Sequence, residues 1–216
     1  MNRQENKKPR RSKAERTKAA ILASAENHFS SYGYTATRLE DIADELDMTR
    51  AALFYYFKDK QMLYDAMVTY SFSELAAALT EILDDTEHSI AQRLEMATLA
   101  WVDAVVSRPN LARLIMRFVA DGMDQPTLRI FTGDEDIPKK FFRLFQEGCE
   151  NGELNPTQKD PLHAASAILG TTVFYVAAVS ALLPNQFEPL KRKQVKSHRE
   201  EALGSARRLL GIEDES

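Results

Sequence analysis

The chain has 216 residues and a formal net charge of −4, with 44 % hydrophobic and 28 % charged residues. This length suits one medium domain or two small ones. The single cysteine, Cys149, excludes an internal disulfide and favours a reducing compartment. The first residues lack the apolar segment of a secretory signal, so we expect a cytoplasmic protein.

Positive charge is concentrated at the start of the chain. Residues 1–18 hold eight basic and two acidic side chains, a local charge of +6, which leaves −10 for the rest. This asymmetry indicates an arm that binds a polyanion. A solubilising tail, or a nuclear import signal at residues 7–11, is the alternative interpretation. We expect residues 1–12 to form a disordered basic arm.

A first helix is predicted to begin near Lys13, because apolar residues then recur at helical spacing. Those residues are Ile21, Leu22, Ala25, Phe29 and Tyr32. Gly33 is expected to end this helix. Thr37 and Glu40 have the spacing of a capping box, which predicts a second, short helix. Its inner side would carry Leu39, Ile42, Ala43 and Leu46.

A turn at Asp47-Met48 separates the second helix from a third. Asp tolerates the positive φ that such a turn requires, and Thr49 is a suitable N-cap for the third helix. Leu53 and Phe57 are four residues apart, so both point inward. Two short helices joined by such a turn match a helix-turn-helix over about residues 38–57.

The exposed side of the third helix has the chemistry of DNA recognition. Arg50 can donate two hydrogen bonds to guanine, and Ala51 can contact a thymine methyl group. Tyr55 and Tyr56 offer rings and hydroxyls to bases or to the backbone. Three ordinary packed helices are the alternative, but three consecutive aromatic residues, 54–56, cannot all face inward on a short helix.

Two further positions suit phosphate contacts. Thr37 lies at the start of the second helix, where a hydroxyl and the helix N-terminus both favour an anion. Lys60 would begin the fourth helix and could pair with a phosphate. The complete set of expected DNA contacts is Thr37, Arg38, Thr49, Arg50, Ala51, Tyr55, Tyr56 and Lys60.

At these residues the chain resembles the TetR family of bacterial transcriptional regulators. Residues 37–43 are similar to the family's second helix, and residues 53–60 to its recognition helix and the start of its fourth helix. The resemblance implies a homodimer, DNA binding by the third helix, and a C-terminal domain for ligand and dimer contacts. The family usually has Gly at Asp47, Tyr at Phe54 and His at Tyr56.

The rest of the chain predicts helices throughout, without the alternation of strands. We expect an all-α protein of about nine helices: a DNA-binding domain over 13–75 and a larger effector-binding and dimerisation domain over 76–211. The later helices are predicted near 59–83, 90–106, 109–120, 139–151, 161–183 and 189–210.

The stretch from Leu162 to Leu183 has no charged residue and is long enough to span a bilayer. It also holds small and polar residues such as Gly170 and Thr171, which suit close helix packing. A helix that is apolar all round is buried somewhere. We therefore favour burial against a partner subunit over a membrane span, with the last two long helices as the dimer seam that the resemblance implies.

A ligand pocket is expected among helices 4–8, since bundle interiors commonly hold one. Aromatic and Met side chains predict a small hydrophobic or aromatic effector, although the same residues also suit a plain core. The candidate wall is Trp101, Met116, Phe118, Met123, Phe141, Phe145, Phe174 and Tyr175.

No catalytic motif, cofactor motif or metal site is predicted. His28, His88, His163 and His198 are scattered without metal-ligand spacing, and the sequence has no Walker loop or Gly-rich dinucleotide turn. We expect a transcriptional repressor that leaves a palindromic operator when it binds its effector, and that associates with the bacterial nucleoid through DNA. A helical ligand-binding or interaction protein with weak, non-specific DNA affinity is the alternative.

Overall fold

The computed structural model describes residues 12–121, 136–182, 188 and 190–213. Within these ranges the regular elements are all helical, which confirms the all-α fold class. The chain divides into two compact units, Met1–Met67 and Val68–Ser216. This division and the expected domain boundary after residue 75 both fall within the fourth helix. The basic arm of residues 1–11 lies outside the described residues.

The first unit contains three helices, α1 (Lys13–Ala36), α2 (Leu39–Glu45) and α3 (Arg50–Tyr56). Ser12 begins α1 with a capping box, in which its hydroxyl accepts from the Glu15 amide. Gly33 ends the regular part of α1, as predicted. It adopts φ 78° and ψ 175°, outside the helical region, and a short helical turn continues beyond this kink to Ala36. Glycine permits this local break because it has no Cβ to clash at positive φ.

The predicted capping box at Thr37 and Glu40 is wrong. Arg38 occupies the N-cap of α2, which has no side-chain capping hydrogen bond. The Thr37 hydroxyl instead donates to the Gly33 carbonyl at 2.8 Å, and only 3 % of the residue is exposed. The kink at Gly33 turns this side chain inward, which the local spacing did not reveal.

The turn before α3 follows the prediction. Asp47 adopts φ 52° and is the non-glycine residue with positive φ among those described. The Thr49 hydroxyl caps α3 by accepting from the Ala52 amide at 3.2 Å. Leu53 and Phe57 are 0 % and 2 % exposed, so both point into the core as expected.

An aromatic cluster fills the core behind these helices. Phe29 packs edge-on against Tyr64, with ring centroids 5.0 Å apart, and stacks on Tyr34 at 6.0 Å. Such pairs add roughly 0.5–1.5 kcal/mol beyond the burial of their surface. Ile21 and Ile42 are fully buried in the same unit. This packing stabilises α2 and α3, which are too short to be stable alone.

The fourth helix, α4 (Lys60–Asp84), begins after Asp59, whose carboxylate accepts from the Met62 amide at 2.7 Å. The Asp59 side chain therefore caps α4. The helices that follow are α5 (Ile90–Ser107), α6 (Pro109–Asp121), α7 (Ile137–Asn151), α8 (Pro161–Phe174) and α9 (Arg192–Leu210). The described residues therefore form nine helices, which lie close to the predicted positions.

In the second unit, α9 packs along α5. Its inner face buries Ala202, Ala206 and Leu210. Arg207 forms a two-pronged ion pair with Glu95, at 2.7 and 3.1 Å. Arg199, which precedes Arg207 on α9, pairs with Asp103 of α5 at 2.9 Å. Hydrophobic burial holds the two helices together, while the paired charges fix their register.

After Phe174 the α8 helix widens into a π-helical turn, Tyr175–Val179, and ends with Ser180–Leu182. Within this turn Tyr175 stacks on His198 of α9, with ring centroids 3.8 Å apart. His198 also hydrogen-bonds the Thr172 hydroxyl at 3.2 Å. The widened turn thus coincides with the place where α8 is bound to α9.

Candidate nucleic-acid interface and ligand cavity

The outer face of α3 carries most of the side chains that the sequence assigned to DNA. Thr49, Arg50 and Ala51 are exposed at its first turn, and Tyr55 is 85 % exposed one turn later. Tyr56 is half-buried and meets Tyr55 edge-on, with ring centroids 5.4 Å apart. The face therefore presents a cation, a small residue and two aromatic rings side by side.

Arg50 is held by two neighbours. Its Nη1 lies 2.8 Å from Oε1 of Glu40 on α2, and its guanidinium carbon lies 5.2 Å from the ring centroid of Phe54. The Arg50 side chain is nevertheless 65 % exposed. A guanidinium with five donors in a fixed fork can pair with a carboxylate and still donate elsewhere.

The other expected phosphate contacts are less open. Lys60 donates from Nζ to the Thr35 carbonyl at 3.1 Å and lies 4.7 Å from the ring centroid of Tyr34. Burial lowers the pKa of the Lys60 ammonium. Thr37 uses its hydroxyl within α1, as described above, whereas Arg38 is exposed at the start of α2.

A polar cluster that the sequence analysis did not identify supports the end of α2. The Glu45 carboxylate accepts from the Ser24 hydroxyl at 2.8 Å and lies 2.8 Å from Nε2 of His28. The hydrogen bonds from Ser24 and then His28 lower the pKa of Glu45. The four-residue spacing of Ser24 and His28 places them on one face of α1, but nothing local indicated that Glu45 lies opposite.

The second unit contains a cavity of about 310 Å³. Three helices, α4, α5 and α8, and the start of α7 contribute its wall. The lining residues are Leu79, Leu83, Leu94, Ala97, Thr98, Trp101, Ile137, Pro138, Phe141, Phe142, Leu162, Ala165, Ser166, Ile168 and Leu169. Thirteen of the fifteen are apolar, so the cavity suits an apolar guest.

The few polar groups of this wall already have partners in the protein. The Thr98 hydroxyl donates to the Leu94 carbonyl at 2.8 Å, and the Ser166 hydroxyl donates to the His163 carbonyl at 2.9 Å. The Trp101 indole N–H donates to the Leu169 carbonyl at 3.3 Å. The described wall has no charged side chain to pair with a charged guest.

The residues predicted to line a pocket lie in different places. Trp101 and Phe141 line the cavity. Phe145 is buried and is not among the lining residues, Phe118 is half-buried, and Met116 and Phe174 are 42 % and 54 % exposed. Tyr175 stacks on His198, and Met123 lies outside the described residues. Most of the wall consists of Leu, Ile and Ala residues of α4, α5 and α8, which look like ordinary core in sequence.

The described residues hold no group of His, Cys, Asp and Glu side chains suited to a metal ion. In the part of the chain that the structure describes, one helix, Pro161–Val179, is long and apolar enough to cross a membrane, and 22 % of its most apolar 18-residue stretch is buried. Leu162, Leu169 and Phe174 are exposed on it. A helix of this kind requires a covering surface, which need not be lipid.

The chain is similar to known proteins both in its first unit and over most of its length. The family described as "Bacterial regulatory proteins, tetR family" matches residues 21–67. The HTH-type transcriptional regulator RutR of Escherichia coli O157:H7 is 36 % identical over 165 residues, which cover 73 % of each chain. The chain belongs to the TetR family. It is a DNA-binding transcriptional regulator.

Solved structures of TetR-family regulators share the fold. A tetR-family regulatory protein from Rhodococcus RHA1 matches with a TM-score of 0.68 and 25 % identity, over 94 % of this chain and 100 % of that one. AibR, solved in complex with isovaleryl coenzyme A and operator DNA, matches with a TM-score of 0.65 and 19 % identity, over 87 % and 96 % of the chains. These similarities show that this chain has the same fold as the two solved structures.

Proposed function

We propose that this protein is a homodimeric repressor that leaves a near-palindromic operator when a small, uncharged, hydrophobic effector binds in the cavity of the second unit. The observation that carries the proposal is the pairing of two dissimilar sites in one chain. One is an exposed basic and aromatic helix face, and the other is an apolar cavity. The first suits a polyanion, and the second suits an apolar guest.

The operator contacts in this proposal come from residues 13–75. Arg50 and Ala51 read bases from the first turn of α3, and Thr49, Tyr55 and Tyr56 contact bases or backbone. Arg38 pairs with a phosphate at the start of α2. The Thr37 hydroxyl and the Lys60 ammonium both have protein partners. Their contacts would come from the Thr37 backbone N–H and from a Lys60 that exchanges one partner for another.

The effector in this proposal binds within residues 76–211. Its class follows from the wall: Trp101, Phe141 and a set of aliphatic residues offer dispersion contacts and no charge. A carboxylate or an ammonium would lose its hydration without gaining a partner, which costs several kcal/mol. A neutral aromatic or branched aliphatic molecule avoids that cost.

The dimer in this proposal forms through α8 and α9. The exposed apolar residues of α8, which include Leu162, Leu169 and Phe174, would be covered by a second copy rather than by lipid. This arrangement explains why a chain with a basic arm and a DNA-reading helix has a charge-free helix. It also predicts a protein that stays in the cytoplasm, bound to the nucleoid when no effector is present.

Release follows from a population shift. Two recognition helices of a dimer fit successive major grooves only at a spacing of roughly 34–36 Å. An effector that binds better to conformers with another spacing lowers operator affinity by its difference in affinity for the two states. An effector with equal affinity for both states would change nothing.

Selection of bound fragments from a random DNA library, with the purified full chain at two salt concentrations, tests the DNA half. Recovery of a palindrome with half-sites about one helical turn apart is the expected result. Recovery of no preferred sequence at either salt concentration would instead support a ligand-binding protein with non-specific DNA affinity.

The basic arm supplies a further expected result. Deletion of residues 1–11 should flatten the dependence of DNA affinity on salt, because fewer phosphates are neutralised. A variant with Lys7, Lys8, Arg10 and Arg11 changed to Gln keeps the length and serves as the matched control. If the deletion leaves the slope unchanged, the arm is a passive tail.

A further inference from the structure

The ion pair between Glu40 and Arg50 joins the two helices of the helix-turn-helix. Arg50 is the first residue of α3, and Glu40 is in the first turn of α2. Their side chains are 65 % and 46 % exposed, with Nη1 and Oε1 2.8 Å apart. Phe54, one turn after Arg50, lies under the guanidinium at 5.2 Å. A carboxylate on one helix and a ring on the other thus fix a cation that points to solvent.

Stability does not explain this arrangement well. An ion pair this exposed contributes little to folding, because water and salt screen both charges. The acidic residue also has a cost for function, since a carboxylate beside a DNA-reading cation repels phosphates. Favourable interaction of Glu40 with the N-terminus of α2 is one reason to retain it. That reason applies equally to Asp41, which is exposed in the same turn and has no contact with Arg50 among the described contacts.

Base reading explains the arrangement better. A free Arg side chain samples many rotamers and pairs with whichever phosphate or base is near. A guanidinium held between a carboxylate and a ring loses less freedom when it meets a guanine, and its planar fork is already oriented. The carboxylate also weakens the competing pairing with phosphate. The net effect is a lower affinity for any DNA and a sharper choice of base.

We propose that Glu40 is a positioning residue that holds Arg50 for base recognition and so sets the specificity of the protein at one operator position in each half-site. The inference rests on the proposed operator contacts of α3. Glu40 itself touches no base. It acts through Arg50, and its effect disappears when Arg50 is absent.

The test measures base preference with the full-length protein and systematic single-base variants of the selected operator. Arg50→Ala identifies the position that Arg50 reads, where discrimination should fall about fivefold or more. Glu40→Gln should lower discrimination at the same position by about threefold or more, while affinity for unrelated DNA rises because one repelling charge is lost. In the double variant, Glu40→Gln should change nothing further at that position.

Asp41→Asn is the matched control, since it removes one carboxylate from the same turn. It should raise affinity for all sequences alike and leave the base preference intact. Thermal unfolding of each variant shows that the fold is retained. The inference is overturned if Glu40→Gln leaves the preference profile unchanged or alters only positions that Arg50→Ala does not. It falls together with the proposed function if the wild-type protein selects no sequence, whereas relaxation by Arg50→Ala alone overturns the role of Glu40 and leaves the proposed function intact.

Discussion

The DNA-reading face of the first unit and the cavity of the second recognise their partners by opposite means. The face displays directional donors and rings from two seven-residue helices that are close in sequence. The cavity gathers apolar side chains from residue 79 to residue 169, and its hydroxyls bond to the protein's own carbonyls. One site depends on where a few polar atoms point, and the other depends on the volume and shape that packing leaves. Variants should therefore affect them separately.

Phe29→Ala is the strongest test of that separation. Phe29 is 1 % exposed and packs on Tyr34 and Tyr64, so its loss should destabilise the first unit by about 3–5 kcal/mol. DNA binding should be lost at moderate temperature. Trp101 is the only tryptophan in the chain and lies in the second unit, so its fluorescence reports that unit. Its unfolding midpoint should stay near the wild-type value.

Tyr32→Ala on the same helix is the control, because 61 % of Tyr32 is exposed. It should leave both DNA binding and the Trp101 transition close to wild type. A Trp101 transition that shifts as far in Phe29→Ala as the circular dichroism signal does would mean that the two units unfold as one.

Arg50→Ala is the second test, with an expected loss of about 1–3 kcal/mol in operator binding. The loss should concentrate at one base position, because a guanidinium that donates to guanine distinguishes it from other bases. Titration of operator variants by fluorescence anisotropy measures it, and Trp101 fluorescence should not change. An equal loss across all DNA sequences would reduce Arg50 to a phosphate contact.

How far the sequence predicts each region follows from this difference. In the first unit the decisive information is local: Asp47 for the turn, Thr49 for the cap, and four-residue spacing for Leu53 and Phe57. The error there came from Thr37, whose hydroxyl is buried against the kink at Gly33 and does not cap α2. The contact of Arg50 with Glu40 depends on the crossing of two helices, which spacing along one helix does not reveal.

The cavity was much harder to predict. The prediction favoured bulky aromatic residues and therefore included Phe145, Phe174 and Tyr175. A cavity, however, forms where neighbouring side chains leave space between them. Leu79 of α4 and Ala165 of α8 both line it, although they lie far apart in the sequence. Trp101 and Phe141 are at the wall, but periodicity alone gives their helix face and not whether that face meets a neighbour or a void.

Ala97→Phe probes the second region without touching the first. A phenyl group at this wall position should occupy part of the roughly 310 Å³ and weaken binding of the neutral probe 1-aminoanthracene by about tenfold or more. Energy transfer from Trp101 to the probe measures binding. Operator affinity without effector should stay at the wild-type value. Ala77→Phe, on an exposed part of α4, is the matched control and should bind the probe normally. Unchanged probe binding in Ala97→Phe would place the binding site elsewhere.

The smallest expected effect is a difference between the two units in how their stability depends on pH. Burial lowers the pKa of His198 below its ordinary value of 6.5. Between these two pKa values the unfolded chain binds a proton at this residue and the folded chain does not. Stability of the second unit should therefore fall as the pH drops from 6.5 toward the folded pKa. In the first unit, the hydrogen bonds from Ser24 and His28 lower the pKa of Glu45 from 4.5, and that stability is lost only at pH values below 4.5.

His198→Phe should flatten the decline of the second unit between pH 7 and pH 5, since Phe keeps a ring against Tyr175 and removes the titrating group. Trp101 fluorescence in urea, at one fixed protein concentration, measures it. Tyr175→Phe retains His198 and should retain the wild-type decline, even where overall stability changes. A decline that survives in His198→Phe would show that another group controls the acid response. The buried histidine would then be a packing residue, and acidity would no longer distinguish the two units.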